Sequence, residues 1–87
     1  MELHLANKTI TVPEVIYLDQ LAELDLAEFQ TLQENPDQSR YIKWVLNFLK
    51  VLGISERISL PDFLKMQQSG EFERWLNALM ADFRPSA

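Results

Sequence analysis

The sequence contains no cysteine. Disulfides and thiolate-bound metals are thereby excluded, and stability has to come from packing or from assembly with a partner. Only two glycines occur, Gly53 and Gly70, too few for a glycine-rich phosphate loop. The one histidine, His4, has no obvious acid or nucleophile beside it in sequence, and it falls on the polar face of an alternating stretch. No His/Asp/Glu group has metal-ligand spacing. The carboxylate pairs Asp19/Glu23 and Glu71/Glu73 are of a kind common on exposed helix faces, and nothing in the sequence marks them as buried. No apolar run approaches the roughly 20 residues that a membrane span requires, and the first residues lack the basic and apolar regions of a signal peptide. These gaps predict a non-enzymatic cytoplasmic protein with no catalytic residue, no cofactor, no metal site and no membrane contact.

What is present fits a small folded domain. The chain has 87 residues, 47% of them apolar. That is enough for a core but too short for more than one domain, which predicts a single domain over 1–87. Residues 2–6 and 9–12 alternate polar and apolar, so Leu3, Leu5, Ile10 and Val12 share one face of a β-hairpin. Asn7-Lys8 is the expected two-residue turn, and Pro13, lacking an N–H, ends the pairing. The hairpin thus takes 1–13 and a helical part takes 14–87.

Within that part, Leu18, Leu21, Ala22, Leu26, Phe29 and Leu32 are close to helical spacing. They form either one helix or two short ones that break at Asp25, where Asp25-x-x-Glu28 is a variant of the capping box. Asn35-Pro36 stops the stretch. The next helix starts near Asp37 or Gln38 and ends at Gly53. Ser59 caps a short helix with Pro61 and Asp62 in its first turn, and a last helix runs from about Glu71 to Phe83 before Pro85. The expected fold class is mainly α: about four helices with a short N-terminal β-hairpin.

Residues 41–52 are the most informative stretch. Nine of the twelve are apolar, and the three polar residues Lys43, Asn47 and Lys50, with Arg40 just before the stretch, fall on one narrow stripe. A helix apolar nearly all round is buried nearly all round, or else keeps one face for a partner. Trp44, Phe48 and Val51 are the candidate protein-binding residues on such a face. Trp75 joins them from the last helix, whose stripe Phe72, Trp75, Leu76, Leu79, Met80 and Phe83 belongs either to the core or to a docking surface.

The net charge of −5 is uneven. Residues 1–39 carry eight acids against Lys8, and residues 40–87 carry seven bases against five acids. An acidic first half disfavours phosphate backbones, so no nucleic acid is expected as a partner. It is a solvated acidic face, or else the two halves attract, within one molecule or head-to-tail between copies, which makes a homo-oligomer an option.

The order of these features resembles the tail assembly chaperones of long-tailed phages and prophages. The matching pieces are the N-terminal stretch 3–14, the acidic leucine-rich 18–24, the apolar helix leading into Leu52-Gly53-Ile54-Ser55, and Ser59-Leu60-Pro61-Asp62-Phe63. The likeness covers most of the chain as a pattern and carries over no individual site residue. It implies a small helical chaperone, acting in the host cytoplasm, that holds the tape measure protein and recruits tail tube subunits. In a different class, the acids of the first half suit a small inhibitor or regulator that occupies a nucleic-acid-binding site on a host protein.

Overall fold

The computed structural model describes residues 1–81. The chain is mainly helical with an N-terminal β-hairpin, and it divides into two compact units. One unit joins Met1–Ile16 to the chain from Glu56 onward, and the other is Tyr17–Ser55. The packing therefore does not divide at residue 13: the hairpin belongs with the last two helices.

In the first unit, β1 (Glu2–His4) pairs antiparallel with β2 (Thr9–Thr11) in the register Glu2↔Thr11, Leu3↔Ile10 and His4↔Thr9. The alternation has the expected consequence. Leu3, Leu5, Ile10 and Val12 are all buried, while Glu2, His4, Thr9 and Thr11 face outward. The turn sits one residue earlier than expected. With His4 opposite Thr9, and the Leu5 N–H donating to the Lys8 carbonyl at 2.8 Å, Ala6-Asn7 makes the reversal. No non-glycine residue among those described has positive φ. Asn7 is thus not used for the left-handed conformation that a primed turn requires. Its N–H donates instead to the Asp62 carboxylate at 2.8 Å.

Asp62 lies in the first turn of α4 (Leu60–Ser69), whose N-cap Ser59 accepts from the Asp62 N–H at 3.3 Å. Phe63 and Met66 are the buried apolar side of this helix. Gly70, at φ +73, ends α4 in the left-handed region and opens α5 (Glu71–Leu79). A side chain there would be strained, which explains one of the two glycines. Phe72, Trp75 and Leu76 of α5 are buried. The helix reaches its C-cap at Met80, earlier than the sequence suggests, and Phe83 and Pro85 lie outside the described residues.

In the second unit, the stretch 18–34 is two helices. The first is α1 (Leu18–Ala22) and the second α2 (Leu26–Glu34). The Asp25 side chain caps α2 by accepting from the Glu28 N–H at 2.9 Å, so Asp25 marks the break. Asp37 does the same for α3 (Gln38–Val51), accepting from the Arg40 N–H at 3.1 Å. The end of α3 has the two bonds of a Schellman motif, Ile54 N–H to Leu49 O and Gly53 N–H to Lys50 O, both 3.0 Å, with Gly53 at φ +82. Its buried side is Trp44, Val45, Phe48 and Leu49. The described residues thus form five helices, because the acidic stretch breaks in two.

Candidate functional site

Three of the four side chains singled out as a binding face belong to the buried interior. Trp44 and Phe48 are buried, and Val51 is half-buried. The Trp44 ring stacks between Phe29, 4.6 Å away between centroids, and Phe48, 5.3 Å away. Its Nε1–H donates to the Asp25 carbonyl at 2.9 Å. Trp75 is likewise buried, edge-on to Phe72 at 5.8 Å, and its Nε1–H donates to the Pro13 carbonyl at 2.7 Å. A buried indole needs an acceptor for its N–H. Each tryptophan has one in a backbone carbonyl next to a chain bend, a partner that helical spacing does not reveal. The expectation that Trp44, Phe48 and Trp75 offer an open face is corrected accordingly.

The exposed large apolar side chains are others. Leu18 is 82% exposed, Tyr17 65%, Leu60 64%, Val15 57%, Leu46 49% and Leu64 40%. Leu60 and Leu64 stand one turn apart on the outer face of α4, with Phe63 and Met66 buried behind them. This pair is a short apolar ridge on a helix fixed from its other side. The sequence carries two apolar rows on α4, and spacing alone does not tell which one faces inward.

Among the described residues an open cleft of about 200 Å³ is lined by Asp25, Glu28, Arg40, Lys43 and Trp44. Its acids are occupied. Asp25 caps α2. Glu28 takes both arms of Arg40, Nε at 2.7 Å and Nη2 at 2.6 Å, which keeps the guanidinium more firmly charged than usual. Glu28, expected to complete a capping box, thus ties α2 to α3 instead.

His4 finds its acid 67 positions away. Glu71 accepts from the His4 N–H at 3.0 Å and meets Nδ1 at 3.1 Å. The adjacent Ser69 hydroxyl donates to the Met66 carbonyl at 3.2 Å and accepts from the Glu71 N–H at 3.3 Å. The Glu71 carboxylate therefore fixes the outer edge of β1 to the start of α5. Among the described residues no group of three or more His, Asp or Glu is placed to hold a metal ion, and no helix is long and apolar enough to cross a membrane.

Two carboxylates in this unit are held below the usual carboxylate range. For Asp62 the main cause is the Asn7 N–H, opposed by burial and aided by Ser59 and Lys8. For Glu71 it is the His4 N–H, opposed by burial and aided by the His4 ring and Arg74. A group whose folded pKa is depressed stabilises fully above its unfolded value, near 4, and loses that contribution as pH falls through the folded pKa. The thermal midpoint will therefore be flat between about pH 7 and 5 and fall below about pH 4. Asp62→Asn will flatten the acid limb while lowering the neutral midpoint; an unchanged acid limb would remove Asp62 from this account.

The charge asymmetry of the sequence does not follow the units. Residues 17–55 carry six acids and three bases, and the remainder of the chain carries seven acids and five bases. The chain matches no protein-family model, no curated protein and no solved structure.

Proposed function

We propose that this chain is a non-enzymatic protein-binding chaperone that seats a helical segment of a longer partner. The supporting observation is the ridge of Leu60 and Leu64, presented by a helix whose opposite side is packed. An apolar pair at i and i+4 on a rigid helix matches the way amphipathic helices meet. Leu60 and Leu64 are 64% and 40% exposed, so covering what remains open of both is worth roughly 1.5–3 kcal/mol together, enough to anchor a contact. The resemblance to tail assembly chaperones supplies the finer reading: the partner is the tape measure protein, and tail tube subunits are brought to the same assembly in the host cytoplasm. The test is calorimetric titration of the folded chain with a helical tape measure fragment from the same genome, alongside the solubility of that fragment after dilution. Saturable binding with improved solubility is expected. Absence of both removes the proposal.

A further inference from the structure

We propose that α1 of one copy docks on the outer face of α3 of a second copy, so that the chain associates head-to-tail. Both faces belong to the Tyr17–Ser55 unit. The first is an acidic, apolar face. Helix α1 contains no buried residue, Leu18 is 82% exposed, and Asp19 and Glu23 are exposed one turn apart in the adjoining row. A five-residue helix with only Gln20 and Leu21 half-buried gains little from its own backbone, because nucleation is unfavourable. A covering surface would give it the burial it lacks. The second face is basic and apolar. Lys43, Leu46 and Lys50 are exposed at spacings of three and four on α3, with Leu46 between the two lysines. None of Asp19, Glu23, Lys43 and Lys50 forms an ion pair among the described residues.

Charge selects the occupant. Two acids beside an exposed leucine on one face complement two bases beside an exposed leucine on the other, and both are carried by every copy. At about 1.5 Å per residue the lysines stand about 10 Å apart and the acids about 6 Å, a difference that long lysine side chains take up. Because the faces differ, the contact is heterologous and extends into rings or open chains instead of closing as a two-fold dimer. The contact leaves Leu60 and Leu64 uninvolved, so it stands independently of the chaperone reading.

The experiment is sedimentation velocity on the full chain over a concentration series, in low salt and at about 0.5 M salt, where exposed charges are screened within a few ångströms. Two charge-reversed chains accompany it, Lys43→Glu/Lys50→Glu and Asp19→Lys/Glu23→Lys. All four positions are exposed, and circular dichroism verifies that each variant keeps the helical content of the parent. The parent should grow with concentration in low salt and shrink in high salt. Each reversed chain alone should remain monomeric. Their equimolar mixture should associate again, since each then offers the face the other has lost. A parent that is monomeric throughout at hundreds of micromolar overturns the proposal. So does association that persists in either reversed chain alone, or an equimolar mixture that stays monomeric, as faces made for an unrelated protein would give.

Discussion

Trp75→Ala will cost about 3–5 kcal/mol of folding stability, the range for truncating a large buried aromatic side chain. Trp75 is buried, packs edge-on to Phe72, and donates its indole N–H to the Pro13 carbonyl at 2.7 Å. Truncation leaves a cavity and removes the donor from a carbonyl that belongs to the turn out of the hairpin. A chain of this length has a total stability on the order of 4–13 kcal/mol, at 0.05–0.15 kcal/mol per residue. The variant should therefore lose a large fraction of that stability, and all of it at the lower end of the range. Urea unfolding followed by far-ultraviolet circular dichroism measures this without relying on the lost fluorophore. Trp75→Phe keeps most of the ring volume and loses the hydrogen bond, so it should fall between the parent and the alanine variant. A stable alanine variant with weakened partner binding would return Trp75 to the interface that helical spacing suggests.

Trp44→Ala should have an effect of similar size, about 3–5 kcal/mol, for related reasons in the other unit. The ring stacks between Phe29 of α2 and Phe48 of α3, and its N–H holds the Asp25 carbonyl, the backbone of the residue that caps α2. One side chain thus serves the core, an aromatic stack and a helix start. Loss of the stack alone is worth about 0.5–1.5 kcal/mol beyond the buried area. Hydrogen exchange locates the damage: amides of Leu26–Glu34 should lose protection in Trp44→Phe, which still folds but lacks the indole donor. Unchanged protection there would show that the Asp25 bond carries no weight.

These two tryptophans also show what was legible in the sequence and what was not. Local chemistry was readable. Asp25, Asp37 and Ser59 each cap the helix that follows, because a side-chain oxygen and an N–H three residues on meet without help from the rest of the chain. The period-two pattern of the hairpin places Leu3, Leu5, Ile10 and Val12 on the buried face for the same local reason. The turn lies one residue earlier than the spacing suggests, and its Asn7 N–H is held from 55 residues away by the Asp62 carboxylate, a partner that local spacing does not reveal. The His4–Glu71 contact is equally distant. On α3, an excess of apolar residues drew attention to Trp44 and Phe48, the largest side chains, yet large rings with an acceptor in reach are the first to be buried. The apolar residue α3 leaves out is Leu46, and on α4 the exposed row is Leu60 and Leu64 in place of Phe63 and Met66. Which of two apolar rows faces inward depends on tertiary packing, which a single sequence does not encode locally.

The ridge on α4 is therefore where the account of function is most exposed to test. Leu60→Asp/Leu64→Glu replaces both leucines at exposed positions. Asp in a first helical turn and Glu within a helix are compatible with the backbone and its dipole. Thermal unfolding should stay close to that of the parent. Calorimetric titration of both chains with the same tape measure fragment is the decisive measurement. The affinity of the double variant should fall by about 10-fold or more, as expected when roughly 1.5–3 kcal/mol of leucine burial is lost from a contact. Equal affinity of the parent and the double variant would contradict the assignment of the binding face to α4.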